Sequence, residues 1–215
     1  MLHERISEEV IAELRLNESI LRQKILEEAV VTNFEKGYVS IPSVNQLIDM
    51  DMQRIAAQMI ICNACQKGIN IDKVLGIPNS GISLATSVAE GLGVRLAPGR
   101  KGEVIPGSWN SAITVQENVP SFTTGESSKF VFNGLHSGDS VLIVDDFIAL
   151  GATSILVAKE LRKKGINVEI AVYVAKLFQP GVEQIEKELG KKPFYAIGIK
   201  KIHSDGTVTI AYPNF

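Results

Sequence analysis

The sequence has little of what several protein classes require. Its 215 residues include only two cysteines and three histidines, and the formal net charge is -2 at pH 7. Two cysteines cannot form the disulfide framework that stabilises small secreted domains. A charge so close to zero provides no basic surface for nucleic acid or for an anionic membrane. In addition, no apolar run has the length that is needed to span a bilayer.

What is present is typical of a globular domain. Hydrophobic residues make up 45% of the chain and charged residues 21%, which are ordinary proportions. A chain of 215 residues can bury a full core within one domain. The start of the chain, Met1 to Glu9, lacks the basic and then apolar segments of a signal peptide. We therefore expect a cytoplasmic protein that has no nucleic-acid or membrane partner.

Cys62 and Cys65 form a Cys-x-x-Cys pair late in a helical pattern. A structural zinc site needs four ligands, and the chain has no second cysteine pair. The spacing is that of thioredoxin-like redox pairs, so a redox role is one interpretation. The favoured interpretation is two small helical residues in a reducing compartment.

Apolar runs alternate with amphipathic segments along most of the chain. Strands are expected over 74–78, 94–97, 141–144, 168–175, 194–199 and 208–212. Helices are expected over 43–67, 83–92, 155–164 and 180–189, with two short helices between 6 and 28. The helix expected over 43–67 is predicted to begin at Ser43, because Ser43 and Gln46 have the spacing of a capping box. The alternation predicts an α/β fold with a central, mainly parallel sheet that is flanked by helices.

The most informative stretch is 141–154, with the sequence Val-Leu-Ile-Val-Asp-Asp-Phe-Ile-Ala-Leu-Gly-Ala-Thr-Ser. Its apolar start predicts a buried strand. Asp145 and Asp146 follow, and then a short loop leads into a helix. The free N–H groups and the dipole of such a helix start make an anion site, usually for phosphate. Carboxylates accept hydrogen bonds from sugar hydroxyls and help to hold hydrated Mg²⁺. The stretch therefore predicts a phosphosugar site, although an ordinary strand–turn–helix is the alternative.

This stretch resembles the phosphoribosyl pyrophosphate (PRPP) signature of the type I phosphoribosyltransferases. The resemblance implies that Asp145 and Asp146 bind the ribose 2′- and 3′-hydroxyls and, directly or through water, Mg²⁺ as the cofactor. It implies that the 5′-phosphate is bound by backbone N–H and hydroxyl groups of Ala149, Leu150, Gly151, Ala152, Thr153 and Ser154. The common family sequence here is Thr-Gly-Gly-Thr, and two of its residues are replaced by Leu150 and Ala152. A loop without those residues still offers its N–H groups.

A second strand–turn–helix start lies at Gly76–Ser83 and is a second candidate anion site. The family has a pyrophosphate loop at this position, so the resemblance assigns that role to Pro78, Asn79, Ser80 and Gly81. None of these residues is charged, and their contribution would come from backbone N–H groups. The alternative is a plain strand-to-helix turn.

Arg100 and Lys101 lie together at a bend that begins a long segment extending to about Ser128. Cations of this kind are the natural clamps for a pyrophosphate leaving group. Long segments in compact domains are often lids, and the family has a mobile hood loop here. We therefore count Arg100 and Lys101 as candidate catalytic residues, with a solvated surface pair as the alternative. The hood residues Ile105–Trp109 do not match the family sequence.

The stretch Lys-Leu-Phe-Gln-Pro-Gly at 176–181 closely resembles the xanthine phosphoribosyltransferases. A further resemblance to that subgroup lies in Asn45–Asp49 and in the Met-Gln-Arg-Ile that starts at Met52. It implies that Asn45, Lys176 and Phe178 bind the purine, with Lys176 favouring an oxo group. A surface lysine and a core phenylalanine are the alternatives for the last two.

The resemblance covers the chain from about Tyr38 onward. We therefore expect an N-terminal helical extension over 1–36 and a phosphoribosyltransferase domain over 37–215. The expected activity is transfer of the phosphoribosyl group from PRPP to a purine, with xanthine as the favoured base and adenine as the alternative base. A non-catalytic PRPP-binding regulator is an alternative of another class, as is a generic phosphosugar or nucleotide binder. A homodimer is expected because two-fold oligomers are common.

Overall fold

The fold is known from a computed structural model, which describes residues 8–102, 113–116 and 129–211. The described helices are α1 (Glu8–Glu28), α2 (Pro42–Asn45), α3 (Met50–Gln66), α4 (Gly81–Leu92), α5 (Ala152–Lys163) and α6 (Gly181–Leu189). The described strands are β1 (Val30–Asn33), β2 (Tyr38–Ser40), β3 (Lys73–Gly76), β4 (Arg95–Pro98), β5 (Arg100–Lys101), β6 (Ile113–Gln116), β7 (Lys129–Phe132), β8 (Ser140–Ile148), β9 (Asn167–Lys176), β10 (Phe194–Ile202) and β11 (Val208–Ala211).

The central sheet has six strands in the order β11-β10-β9-β8-β3-β4. All neighbours in it are parallel except β10 and β11. Helices α1, α3 and α4 cover one face and share a hydrophobic cluster with it, whereas α5 and α6 cover the other face and share a second cluster. These layers confirm the predicted α/β fold. No helix in the described part of the chain is long and apolar enough to cross a membrane.

Two elements differ from the sequence-based expectation near the N-terminus. One helix, α1, occupies the region where two short helices were expected. The capping box at Ser43 was also wrong, because Ser43 lies inside the short helix α2 and its N–H donates to Glu28 Oε2. Helix α3 starts separately, since the Asp49 carboxylate accepts hydrogen bonds from the amides of Asp51 and Met52.

Strand β8 is longer than expected and contains Asp145 and Asp146. The reason is that β9 continues to pair with it through Asp145↔Val172 and Ile148↔Ala175. Pairing with β3 on the other side stops at Gly76↔Val144. The acidic pair therefore lies where β8 has lost one of its two neighbours.

Two smaller antiparallel sheets flank the central one. Strands β1 and β2 form a hairpin, and β5, β7 and β6 form a three-stranded sheet in that order. The expected hood segment Ile105–Trp109 lies outside the described residues. The predicted domain boundary at residue 36 stays a prediction. Leu21 and Ile25 of α1 are fully buried and belong to the same hydrophobic cluster as the central sheet.

Candidate active site

The site lies at the carboxyl edge of the central sheet, at the point where the direction of the strand order reverses. From β3 the chain passes through α4 to β4 on one side, and from β8 it passes through α5 to β9 on the other. Ligands of open α/β sheets bind in the crevice outside such a switch point. The loops that follow β3, β8 and β9 all carry candidate residues from the sequence, and this topology brings them to one edge.

Asp145 and Asp146 are half-buried, and backbone amides orient both side chains. Asp145 Oδ1 accepts a hydrogen bond from the Asp146 amide, and Asp146 Oδ1 accepts one from the Phe147 amide, each at 2.9 Å. Asn45 Nδ2 donates to Asp146 Oδ2 at 3.0 Å. The structure thus joins a candidate purine residue to a candidate ribose residue. A carboxylate has about four acceptor sites, so Asp146 can accept hydrogen bonds from a ligand beside the two described here.

The acidic pair suits a magnesium ion that arrives with a phosphorylated substrate. Magnesium is commonly held by one or two carboxylates together with substrate phosphates and water. Within the described part of the chain, no group of three or more His, Cys, Asp or Glu side chains could hold a metal ion. Asp145 and Asp146 could hold such an ion together with oxygens of the substrate and water.

The candidate phosphate loop runs from Ala149 to the first turn of α5. Gly151 is the N-cap of α5 in the left-handed conformation, Leu150 is exposed, and Ser154 is buried. Gly181 N–H, at the start of α6, donates to the Ala149 carbonyl at 2.9 Å. A Cβ at Gly181 would lie 2.4 Å from that carbonyl oxygen. The close approach places the phosphate loop directly on the end of the Lys176–Gly181 segment.

The candidate pyrophosphate loop, Pro78–Gly81, packs against the acidic pair. A Cβ at Gly81 would lie 2.8 Å from both Asp145 Cα and the Val144 carbonyl oxygen. Gly81 begins α4, which has no acidic residue in its first turn. The positive end of this helix is therefore adjacent to the acidic pair, and its charge suits an anion.

Gln53, a residue of α3, contacts the first turn of α4. Its side chain is buried, and its Nε2 donates to Ser83 Oγ at 2.6 Å. Sequence reasoning assigned Gln53 no role. In the sequence, the only indication of a role for Gln53 was its position in the Met-Gln-Arg-Ile segment that starts at Met52.

Arg100 and Lys101 follow a bend at Gly99 that contacts the candidate pyrophosphate loop. Gly99 N–H donates to the Gly76 carbonyl at 2.9 Å, and a Cβ at Gly99 would lie 2.6 Å from Pro78 Cδ. Arg100 and Lys101 then form β5 and pair with β7. Both cations are exposed, and their role at the pyrophosphate loop stays a prediction.

Lys176 is the last residue of β9 and is only 7% exposed, so the interpretation as a surface lysine was wrong. Its Nζ donates to the Gly37 carbonyl at 3.3 Å and lies 5.3 Å from the centre of the Phe147 ring. Burial lowers the pKa of Lys176, and the charge of Asp146 opposes that shift. Phe178 is partly buried against the hydrophobic core. The structure therefore brings Lys176 and Asn45 close to Asp146.

Comparison with known proteins gives consistent matches. Residues 43–191 match the family described as "Phosphoribosyl transferase domain". The chain is 30% identical to a xanthine phosphoribosyltransferase of Bacillus cytotoxicus, covering 88% of this chain and 94% of the relative. It is 29% identical to an adenine phosphoribosyltransferase of Shigella flexneri, covering 74% and 84%. The solved adenine phosphoribosyltransferase of Rhodothermus marinus superposes with a TM-score of 0.66 at 19% identity, covering 86% and 99%.

Proposed function

The chain belongs to the phosphoribosyl transferase domain family, a class of PRPP-dependent glycosyltransferases, and from this membership we propose that it is a purine phosphoribosyltransferase with xanthine as its preferred base. It would transfer the 5-phosphoribosyl group of PRPP to the purine and release a nucleoside monophosphate and pyrophosphate. One observation carries the proposal. An oriented acidic pair, two helix N-termini and a buried lysine meet at the switch point of the sheet.

The ribose and its 5′-phosphate are assigned to β8 and the loop that follows it. Asp145 and Asp146 accept hydrogen bonds from the 2′- and 3′-hydroxyls. The residues from Ala149 to Ser154 offer backbone N–H groups at the start of α5, which favours a dianionic phosphate. Leu150 and Ala152 do not remove these donors, since every residue of the loop retains its amide.

Pyrophosphate is assigned to the loop Pro78–Gly81 together with Arg100 and Lys101. Asp145 and Asp146 would hold Mg²⁺ with oxygens of PRPP and water, and the ion would offset negative charge on the leaving group. The amides of α4 and the two cations stabilise the same developing charge. The carboxylates of the acidic pair stabilise positive charge that develops on the ribose. A purine nitrogen then attacks C1′ directly, and no covalent enzyme intermediate is required.

The preference for xanthine is supported by the donor chemistry of Lys176. An ammonium group only donates hydrogen bonds, so it pairs with an exocyclic oxygen and disfavours an amino group at the same position. Xanthine carries two exocyclic oxygens, whereas adenine carries an amino group. Because Lys176 is buried, an unsuitable partner leaves its charge poorly solvated. Relatives that are named for both bases have similar identity, so the choice of base depends on this residue chemistry.

Pyrophosphate release from PRPP and Mg²⁺ tests the proposal, with xanthine, guanine, hypoxanthine and adenine in parallel. We expect turnover with xanthine to exceed that with adenine. We expect the Asp145→Asn/Asp146→Asn variant to lose at least about a hundredfold in kcat/KM, because two charge-assisted contacts disappear. Faster turnover with adenine would contradict the base assignment. If PRPP binds but no base reacts, the regulator becomes the better description.

A further inference from the structure

The hairpin loop between β1 and β2 lies directly on the segment that carries the candidate base residues. Two backbone carbonyls of the loop face that segment. The Gly37 carbonyl accepts from Lys176 Nζ at 3.3 Å, and the Lys36 carbonyl accepts from Gln179 Nε2 at 3.5 Å. The contact joins residues that are 139 positions apart in the sequence.

The fit at Gly37 depends on the absence of a side chain. Gly37 has a φ of +68°, which L side chains rarely adopt. A Cβ at this position would lie 2.3 Å from Gln179 Nε2 and 3.0 Å from Phe178 Cε2. Any other residue would therefore strain the backbone at this φ, displace the flexible end of Gln179 and crowd the Phe178 ring, or move the loop away from both.

The loop is itself held in place from both sides. Within it, Lys36 N–H donates to Asn33 Oδ1 at 2.9 Å, and Gly37 N–H donates to the Phe34 carbonyl at 3.2 Å. The hairpin continues into Val39 and Ile41, which are buried in the core. The carbonyl that meets Lys176 is thus a fixed part of the fold.

We propose that the Gly37 carbonyl is a positioning element for the base site, and that it directs the Lys176 ammonium toward an oxygen of the purine. A lysine side chain has four flexible methylenes, and one fixed acceptor restricts where its remaining two N–H bonds point. The N-terminal hairpin would thereby contribute to selection of the base. This inference rests on the proposed function, since it assigns a partner to the lysine of that same site.

The test compares Gly37→Ala with Gly68→Ala in the full chain. Gly68 has a similar φ of +63° but nothing within 4 Å of its Cβ position, so it controls for backbone strain alone. In Gly37→Ala we expect the KM for xanthine to rise about tenfold, the size expected when a hydrogen bond to a charged group is lost. We expect the KM for PRPP to stay within about twofold of the wild-type value, and the preference for xanthine over adenine to fall.

The Lys176→Met variant distinguishes an effect of Gly37 on the position of Lys176 from a general disturbance of the site. If Gly37 acts through Lys176, adding Gly37→Ala to Lys176→Met leaves the xanthine-to-adenine ratio of kcat/KM unchanged. A further fall of that ratio in the double variant would overturn the proposal. Equal xanthine KM values in Gly37→Ala and Gly68→Ala would overturn it as well.

Two further comparisons distinguish the possible reasons for a negative result. If Gly37→Ala does not fold, the comparison is made in a Gln179→Ala background, where the nearest conflicting atom is removed. In that background the Cβ added by Gly37→Ala still comes to 3.0 Å from Phe178 Cε2, and the φ of +68° still strains the backbone. Gly37→Ala/Gln179→Ala must therefore still differ from Gln179→Ala in xanthine KM, or the proposal is overturned. Absence of turnover by the wild-type protein with every base would reject the proposed function itself. Normal turnover with an insensitive Gly37 would reject this inference alone.

Discussion

At the scale of single residues, Asp146 is the group on which the site depends most. Its carboxylate accepts from the Phe147 amide and from Asn45 Nδ2, and its charge acts on Lys176. One side chain thus contacts Asn45 and acts on the charge of Lys176, two of the three candidate purine residues. A change at Asn45 should consequently affect both substrates.

Asn45→Ala should lower kcat/KM for xanthine about tenfold, because one charge-assisted hydrogen bond to Asp146 and one proposed base contact are removed together. Asn45→Asp should be worse, since it places a second carboxylate beside Asp146. Steady-state kinetics with both substrates would measure this. Asn63→Ala is the control, because Asn63 donates to the Met59 carbonyl within α3 and lies outside the site. Equal effects of the two alanine variants would refute the prediction.

Gly181→Ala should raise the KM for PRPP by about tenfold or more, since a misplacement of about 1 Å in a binding group can cost a hundredfold. The new Cβ would come within 2.4 Å of the Ala149 carbonyl oxygen and would displace the phosphate loop. Gly190→Ala, at the other end of α6, meets nothing within 4 Å but strains the backbone at its φ of +74°, so it controls for a general loss of stability in α6. An unchanged KM for PRPP in Gly181→Ala would show that the loop does not depend on this contact.

At the scale of elements, the carboxyl ends and the amino ends of the central strands have different roles. The carboxyl ends of β3, β8 and β9 carry the candidate site, whereas the opposite ends of β3 and β8 are joined by polar contacts. Lys73 Nζ donates to Asp139 at 2.6 Å and to the Gly134 carbonyl at 3.0 Å. The Ser140 amide donates to Asp72 Oδ2 at 2.9 Å. These contacts join the amino ends of β3 and β8, whose carboxyl ends contribute to the candidate site.

The Lys73–Asp139 pair should make stability depend on pH. Burial would raise the pKa of Asp139, but hydrogen bonds from Lys73 and the His136 amide outweigh it and lower that pKa. A folded-state pKa below the unfolded value means that the stabilisation is present in full above the unfolded pKa, about 4. It is then lost as the pH falls through the folded-state pKa.

Asp139→Asn should therefore lower the free energy of unfolding by about 1–3 kcal/mol at pH 7, since the pair is mostly buried. The difference from wild type should shrink as the pH drops below about 4. Urea unfolding between pH 3 and pH 7 measures both effects. Asp51→Asn removes an exposed ion pair with Arg54 and should change stability little. A difference for Asp139→Asn that does not vary with pH would contradict the assignment.

At the scale of the whole molecule, α1 is part of the common core. Leu21 and Ile25 are fully buried and belong to the cluster beneath α3 and α4. The hairpin that follows α1 reaches Lys176 through Gly37. A segment that looks like an addition in the sequence is thus packed against the domain that carries the candidate site. The expected homodimer stays a prediction, which light scattering of the purified protein would test.

Leu21→Ala should destabilise the protein by about 2–5 kcal/mol, because it removes a fully buried side chain and leaves a cavity. The melting temperature should fall by about 10 °C, given roughly 2–4 °C per kcal/mol for a chain of this size. Leu16→Ala is the control on the same helix, since Leu16 is 61% exposed. Thermal unfolding followed by circular dichroism gives the comparison. Equal melting temperatures in the two variants would mean that α1 does not stabilise the core.

The sequence by itself determined the features that depend on neighbouring residues. Apolar runs predicted the strands of the central sheet, and the helices expected over 83–92 and 180–189 end at the predicted residues. The acidic pair and the loop after it predicted a phosphosugar site at the end of β8. Such features follow from local periodicity and backbone preference, which a chain expresses wherever it folds. The capping box at Ser43 failed because a local pattern competed with a distant carboxylate, Glu28, for the same amide.

Only the tertiary structure decided which distant residues meet. Asn45 and Asp146 are 101 positions apart, and Gly37 and Lys176 are 139 positions apart. Their contacts depend on the strand order, which places β8 between β9 and β3, and on the packing of α1 and the hairpin against that sheet. Lys176 is equally compatible with a surface and with a buried position when only its neighbours in sequence are considered. Its burial results from elements that surround it in space.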